Sequence, residues 1–188
     1  MSGREVAAAG PKVTPRRAGR PVGDGRVLAM PIAPGDKIPD VEVKTMGPEG
    51  PKTVRTGDVL GKGKVVLFAV PGAFTPGCSK IHLPGYVEHG AELRAKGVTT
   101  IACVAVNDPW VMQAWSDAQG ASDIVMLADG NAEFTDAMGL STDLSVAGLG
   151  KRSQRYAAVI EDGIVTSLDV EPKPGVDVSA CQAVLTKL

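Results

Sequence analysis

Cysteine, histidine and aromatic residues are scarce in this chain of 188 residues, which contains three Cys, two His and 4% aromatic residues. A sparse and odd number of cysteines argues against a disulfide-stapled secreted scaffold and favours a reducing compartment. The sequence also lacks an apolar run near the roughly 18 residues that a membrane span needs. Its net charge of −1 gives no electrostatic reason to expect a nucleic acid or an anionic membrane as a partner.

Enough apolar residues are nevertheless present to build a substantial core. Hydrophobic residues make up 44% of the chain and charged residues 22%, at a length that usually forms one domain. We expect that domain to span residues 32–188, preceded by an extension over residues 1–31. The extension is rich in arginine and poor in acids, which is typical of a targeting segment, although its prolines and its composition equally suit a disordered extension.

The compartment is therefore predicted as cytoplasmic, or as mitochondrial or another organelle. The last three residues, Thr186-Lys187-Leu188, differ by one residue type from a peroxisomal address. Such tripeptides also arise at ordinary helix ends, and we favour that interpretation over peroxisomal import.

Apolar strand patterns alternate with helical patterns from residue 32 onward, which predicts an α/β fold with a mixed central sheet flanked by helices. The predicted strands cover residues 40–45, 52–55, 64–70, 99–106, 124–128, 156–160 and 164–170, the last two joined across Asp162-Gly163. The predicted helices start at Cys78 and also cover residues 109–119, 131–138 and 179–188, with Ser179 as the cap of the last one.

Cys78 lies at a position where we expect a cysteine to be nucleophilic. The uninterrupted apolar segment Val65–Val70 predicts a buried strand, and two Pro and two Gly then force a turn before a helix that begins at Cys78. Free N–H groups and the helix dipole at such a position favour a thiolate, the nucleophilic form. Two other interpretations are an ordinary buried cysteine and a zinc ligand paired with His82 at i, i+4, but no second closely spaced ligand pair is present.

The residues around Cys78 also carry a family resemblance. Pro71, Thr75 and Cys78 reproduce the Pro-x-x-x-Thr-x-x-Cys pattern of peroxiredoxins, and the segment from Pro71 to Tyr86 resembles the peroxiredoxin 5 (type II) subfamily. The segments 102–108, 155–163 and 170–172 fit the same subfamily, in the right order.

This resemblance implies a thioredoxin-like fold and a thiol peroxidase that needs no cofactor. Hydrogen peroxide and alkyl hydroperoxides would be reduced through a cysteine sulfenic acid, which a thioredoxin or a glutaredoxin, with or without glutathione, would recycle. A homodimer is also implied. An alternative on the same fold is a peroxide-sensing redox relay or holdase, which rapid turnover of peroxide would exclude. The absence of any Cys-x-x-Cys argues against a thioredoxin-type oxidoreductase.

The resemblance further implies roles for individual side chains. Arg155 would stabilise the thiolate and polarise the peroxide, with Arg152 as an alternative that physics alone does not exclude. Thr75 would offer a hydroxyl, Pro71 would shield the site, and His82 would support the pocket through hydrogen bonds.

The two remaining cysteines are candidate resolving residues. Cys103 lies 25 residues after Cys78, as in type II members, but its apolar strand equally predicts a buried core thiol. Cys181 falls about two residues from the position of the resolving cysteine in peroxiredoxin 5, inside the predicted last helix. A one-cysteine mechanism stays open as an alternative to both.

Overall fold

A seven-stranded mixed sheet organises residues 30–188, which are the residues that this computed structural model describes. The strands are β1 (Glu42–Gly47), β2 (Gly50–Arg55), β3 (Lys64–Ala69), β4 (Val98–Ala105), β5 (Val125–Ala128), β6 (Ser141–Asp143), β7 (Lys151–Ser153), β8 (Tyr156–Glu161) and β9 (Ile164–Val170). Their order is β2-β1-β5-β4-β3-β8-β9, and β6 and β7 form a separate hairpin. β3, β4 and β5 are parallel, whereas the other pairs are antiparallel. The predicted mixed sheet is thereby confirmed.

Short helices cover the sheet. They are α1 (Thr56–Leu60), α2 (Leu83–Glu88), α3 (Gly90–Ala95), α4 (Pro109–Gln119), α5 (Glu133–Ala137) and α6 (Cys181–Leu185), with a π-helical turn at Cys78–His82 and a 3₁₀ turn at Ser145–Ala147. Within residues 30–188, no helix combines the length and the apolar character that crossing a bilayer requires. The predicted extension over residues 1–31 lies, apart from its last two residues, outside the described part of the chain.

β3 runs through the centre of the molecule and is buried on both faces. Val66 and Phe68 pack into one core cluster, which includes Tyr86 and Trp115. Leu67 points to the other face and packs into a second cluster. Successive side chains of a strand point to opposite faces, so a strand that is covered on both sides needs an unbroken apolar run. The segment that follows β3 therefore starts from the carboxyl end of a central, well-packed strand.

The helix predicted to start at Cys78 begins with a π-helical turn and becomes regular only at Leu83. Pro84 explains the change, because it has no N–H to donate to the carbonyl of Lys80 and its ring crowds that carbonyl. The five-residue turn Cys78–His82 accommodates this missing hydrogen bond before α2 starts.

The last helix is shorter than predicted, and the expectation that Ser179 caps it is wrong. α6 begins at Cys181 with Ala180 at its N-cap, and no side chain caps it. The Ser179 hydroxyl instead donates to Glu171 Oε1 at 2.7 Å, because a carboxylate is a stronger acceptor than the hydroxyl's other neighbours offer.

Candidate active site

Cys78 is buried at the carboxyl end of β3, as the first residue of the π-helical turn. The Thr75 hydroxyl lies 2.9 Å from Cys78 Sγ, and Arg155 Nη2 donates to the same sulfur at 3.3 Å. The first N–H groups of a helix also lack intrahelical partners. Two side-chain donors from different parts of the chain therefore converge on the Cys78 sulfur.

Thr75 connects the sulfur to the loop that precedes it. Its hydroxyl lies 2.9 Å from Cys78 Sγ and 2.9 Å from the Gly72 carbonyl. A hydroxyl carries one proton, so Thr75 donates to only one of these two acceptors at a time. A thiolate attracts that proton more strongly than a neutral carbonyl does, whereas a neutral thiol leaves it with Gly72.

The loop after β3 is held from the neighbouring strand. Asn107, which follows β4, accepts a hydrogen bond from the Ala73 amide through Oδ1 at 3.0 Å. Phe74 adopts a positive φ of 63°, a conformation that side-chain-bearing residues rarely adopt without support. Pro71 lies at the start of this loop, directly after the last core residue Val70, and so fixes where the chain leaves the sheet.

Arg155 reaches the sulfur because of the pairing between two antiparallel strands. Tyr156, the first residue of β8, is paired with Ala69, the last residue of β3. This register places Arg155 beside the end of β3, although it is 77 residues away from Cys78 in the sequence. Its guanidinium also passes close to Gly77, where a Cβ atom would come within 3.3 Å of Nη2.

Arg152, the alternative to Arg155, does not contact the sulfur. Its Nε donates to the Leu149 carbonyl at 2.8 Å and its Nη1 to the Val106 carbonyl at 3.0 Å. Nη1 also passes close to Gly72, where a Cβ atom would lie 3.3 Å away. Of the two arginines, the structure thus brings Arg155 to Cys78 and uses Arg152 to brace the loops beside it.

His82 lies at the far end of the π-helical turn and is buried next to Arg155. Its Nδ1 is 3.0 Å from Arg155 Nη1, and its Nε2 is 3.0 Å from the Ser179 carbonyl. Burial, with a further effect from the Arg155 charge, lowers the pKa of His82 to about 4. The ring is therefore neutral at physiological pH, and both of its nitrogens already have partners.

The metal-ligand alternative finds no support in this arrangement, because a zinc ligand needs a free ring nitrogen. In the portion of the chain that the structure describes, no three His, Cys, Asp or Glu side chains are grouped so as to hold a metal ion.

The two other cysteines are free thiols in apolar surroundings. Cys103 lies on β4 opposite Phe68 of β3, and burial, followed by the proximity of Cys78, raises its pKa well above the usual value. Cys181 is the first residue of α6, and burial, with a smaller effect from Glu92, raises its pKa to about 12. Neither thiol is activated in this conformation.

The sequence did not predict the contacts that three residues make beside the site. Asn107 holds the loop after β3, the Ser179 carbonyl bonds to His82, and the Glu171 carboxylate holds Ser179. Asn107 and Glu171 both belong to segments that supported the resemblance, and this was the only available signal. Their contacts join residues that are distant in the chain or act through a backbone atom, so no local pattern reveals them.

Comparison with known proteins gives consistent results. A family model described as Redoxin matches residues 33–185. The chain is 47% identical over 163 residues to Peroxiredoxin-2E-2, chloroplastic, of Oryza sativa subsp. japonica. The aligned region covers 84% of this chain and 72% of the rice protein.

Solved structures agree with this match. The crystal structure of reduced Prx3 in complex with hydrogen peroxide from Vibrio vulnificus has a TM-score of 0.80 at 47% identity, covering 83% of this chain and 98% of that one. The structure of peroxiredoxin 5 from Alvinella pompejana has a TM-score of 0.74 at 40% identity, covering 83% of this chain and 97% of that one. The predicted thioredoxin-like fold is confirmed by these likenesses.

Proposed function

Because this chain belongs to the Redoxin family and, within it, to the peroxiredoxins, it is a thiol peroxidase, and we propose that Cys78 is its nucleophile. The observation that carries this proposal is the convergence on Cys78 Sγ of the Thr75 hydroxyl at 2.9 Å and Arg155 Nη2 at 3.3 Å. The motif from Pro71 to Tyr86 and the 40% identity to peroxiredoxin 5 support a place in the type II subfamily. Hydrogen peroxide and small alkyl hydroperoxides are the proposed substrates.

In the proposed first step, the Cys78 thiolate attacks one peroxide oxygen. A sulfur–oxygen bond forms while the oxygen–oxygen bond breaks, and the electron pair leaves with the second oxygen, which takes a proton from solvent and departs as water or an alcohol. The sulfur is oxidised by two electrons to a sulfenic acid and the peroxide is reduced by two. Arg155 and Thr75 donate hydrogen bonds to the charge as it moves from the sulfur to the leaving oxygen.

A peroxidase assay with purified protein tests this proposal. The Cys78→Ser variant is expected to fall to the background rate with hydrogen peroxide and with an alkyl hydroperoxide, whereas Cys103→Ser retains the first oxidation step. Turnover by the wild-type protein with a thioredoxin or glutaredoxin system would also exclude the alternative of a sensor without catalysis. Unchanged turnover in Cys78→Ser would overturn the assignment of the nucleophile.

We further propose that Cys181 resolves the sulfenic acid. Cys103 lies on a central strand that is paired with both β3 and β5, so its release would disrupt the sheet. Cys181 lies in a five-residue helix near the carboxyl end of the chain, where local opening costs far less free energy. Once released, its thiolate attacks the Cys78 sulfur, the sulfenic oxygen leaves as water, and a disulfide forms.

Mass spectrometry of peroxide-treated protein tests this step. A Cys78–Cys181 disulfide is expected in the wild type and in Cys103→Ser, and it should be absent in Cys181→Ser. A Cys78–Cys103 disulfide in the wild type, or full turnover of Cys181→Ser with a thioredoxin or glutaredoxin system, would contradict the proposal.

The reductant is proposed to be a thioredoxin or a glutaredoxin, the latter with or without glutathione, because a disulfide needs a dithiol or thiol donor. A homodimer is also proposed. Phe74, Ile81 and Trp110 are large apolar side chains that are 54%, 58% and 64% exposed, and the first two flank Cys78 in the sequence. Such exposure is typical of an interface. A monomeric wild-type protein in analytical ultracentrifugation would contradict the dimer.

The proposed compartment is an organelle. Residues 1–31 are rich in arginine, and the rice relative is named as chloroplastic. Fusion of residues 1–31 to a fluorescent protein tests this, and diffuse cytoplasmic fluorescence would contradict it.

A further inference from the structure

Glu171 forms a clasp at the carboxyl end of β9, although neither the sequence motif nor the peroxidase chemistry assigns it a role. Its Oε1 accepts hydrogen bonds from the Asp177 amide at 2.7 Å, the Ser179 amide at 2.9 Å and the Ser179 hydroxyl at 2.7 Å. Its own amide donates to the Arg155 carbonyl at 2.9 Å. Glu171 is thus bonded both to the backbone of Arg155 and to the segment that precedes α6.

The hydrogen bonds to Glu171 fix the position of Ser179, whose carbonyl faces His82. Ser179 is fully buried, and its carbonyl accepts hydrogen bonds from Tyr86 Oη at 2.9 Å and from His82 Nε2 at 3.0 Å. A carbonyl oxygen can only accept, so His82 must carry its proton on Nε2. The Nδ1 atom is then a bare acceptor, which is what Arg155 Nη1 meets at 3.0 Å.

The guanidinium transmits this orientation to the sulfur. Because it is planar and rigid, the hydrogen bond from Nη1 to His82 determines where Nη2 lies. Nη2 is the atom that donates to Cys78 Sγ at 3.3 Å. A chain of direct contacts therefore joins Glu171 to the sulfur through Ser179, His82 and Arg155.

Burial raises the pKa of the Glu171 carboxyl, but the hydrogen bonds from Asp177 and Ser179 together outweigh this effect and lower it. The carboxylate is therefore ionised at neutral pH. All three donors bond to the same oxygen, Oε1. Charge-assisted hydrogen bonds of this kind are stronger than neutral ones.

We propose that Glu171 is a positioning residue for peroxide reduction, which fixes the tautomer and the orientation of His82 through the Ser179 carbonyl and thereby aims Arg155 at the Cys78 sulfur. The inference rests on the proposed roles of Cys78 and Arg155. It differs from a merely structural role, because the effect of Glu171 must pass through His82.

Single-turnover oxidation of Cys78 by hydrogen peroxide provides the first test. Glu171→Ala is expected to lower the second-order rate constant by about tenfold, with partial recovery in Glu171→Gln, since an amide oxygen still accepts hydrogen bonds. Asp169→Ala is the matched control, because Asp169 lies two residues before Glu171, on β9, and forms an ion pair with Lys187 near the chain end instead of bonding to Ser179. This control is expected to stay within about twofold of the wild type.

A double-mutant cycle asks whether the effect passes through His82. In the His82→Gln background, Glu171→Ala should change the rate constant by less than about twofold, because the route to Arg155 is already broken. An equal tenfold loss in both backgrounds, or an equal loss in Asp169→Ala, would overturn the proposal.

Nitrogen NMR of the ring gives a readout that does not depend on activity. The chain has two histidines, so a His89→Gln variant assigns the His82 signals. The wild type should show a neutral ring protonated at Nε2, and Glu171→Ala should introduce the Nδ1-protonated tautomer or an exchange-broadened mixture. A wild-type ring protonated at Nδ1 overturns the proposal even if the variants fail to fold.

Failure of the proposed function is recognised separately. In that case Cys78→Ser would retain peroxidase activity, whereas the His82 tautomer would still report whether Glu171 orients the ring.

Discussion

Two cysteines of this protein occupy similar positions in the backbone but have opposite surroundings. Cys78 and Cys181 are both buried, and each is the first residue of a short helical segment. Thr75 and Arg155 direct hydrogen-bond donors at the first sulfur, whereas burial and Glu92 raise the pKa of the second to about 12. A helix start is therefore insufficient to make a reactive thiol, and the side chains that face the sulfur decide its chemistry.

Removing the guanidinium from the Cys78 site should have the largest effect on this contrast. Arg155→Lys loses the planar fork that binds Sγ and His82 at the same time, so the rate constant of Cys78 oxidation is expected to fall by about 100- to 1,000-fold. Stopped-flow measurement with hydrogen peroxide checks this. Arg152→Lys is the matched control and should lose much less, and comparable losses in both variants would mean that the two arginines share the role.

The hydroxyl donor is expected to matter less than the guanidinium. Thr75→Val keeps the shape of the side chain but removes the donor 2.9 Å from Cys78 Sγ, which should slow oxidation by about 10- to 100-fold. Thr75→Ser retains a hydroxyl and should restore most of the rate. A Thr75→Val protein with wild-type kinetics would show that the backbone donors and Arg155 suffice.

Alkaline pH should reveal the opposite character of Cys181. Its folded pKa of about 12 exceeds the usual thiol value, so its stabilising contribution is complete below about pH 8.5 and is lost as the pH rises towards 12. Between pH 8.5 and 10, the free energy of unfolding of the wild type should thus fall by about 1–2 kcal/mol more than that of Cys181→Ala. Urea unfolding at both pH values measures the difference, and parallel losses in the two proteins would contradict it.

The smallest predicted effect comes from crowding the arginine. A Cβ atom at Gly77 would lie 3.3 Å from Arg155 Nη2, so Gly77→Ala should displace the guanidinium by a few tenths of an ångström and slow oxidation by about threefold. Gly85→Ala is the control, because a Cβ atom there meets nothing within 4 Å. A larger loss in Gly85→Ala than in Gly77→Ala would argue against steric control by Gly77.

Much of the fold follows from local patterns. The uninterrupted run that became β3, the Pro109–Gln119 helix, and the hairpin across Asp162-Gly163 all agree with prediction. Each of these features depends on residues that are close in the sequence. The π-helical turn at Cys78–His82 and the late start of α6 were not predicted. The turn depends on the hydrogen bond that Pro84 cannot donate, and the start of α6 depends on the Ser179 hydroxyl donating to Glu171 instead of capping the helix.

The sequence by itself predicted Cys78, Thr75 and Pro71 as a candidate site, because they lie within eight residues and their spacing is the motif. The resemblance favoured Arg155, but physical reasoning from the sequence alone did not exclude Arg152, three residues earlier. The pairing of β8 with β3 brings Arg155 to the Cys78 sulfur, whereas Arg152 bonds to backbone carbonyls.

The same limit applies to the residues behind the site. Only the tertiary structure decided that Glu171 and Ser179 stand behind His82, and that burial raises the pKa of Cys181 in this conformation. Short spacings encode the motif around Cys78 and its turn, because neighbouring residues share one local conformation. The environment of a thiol is built from strands and helices that meet only after folding, so the sequence determined the motif and the packed structure determined which groups surround the sulfur.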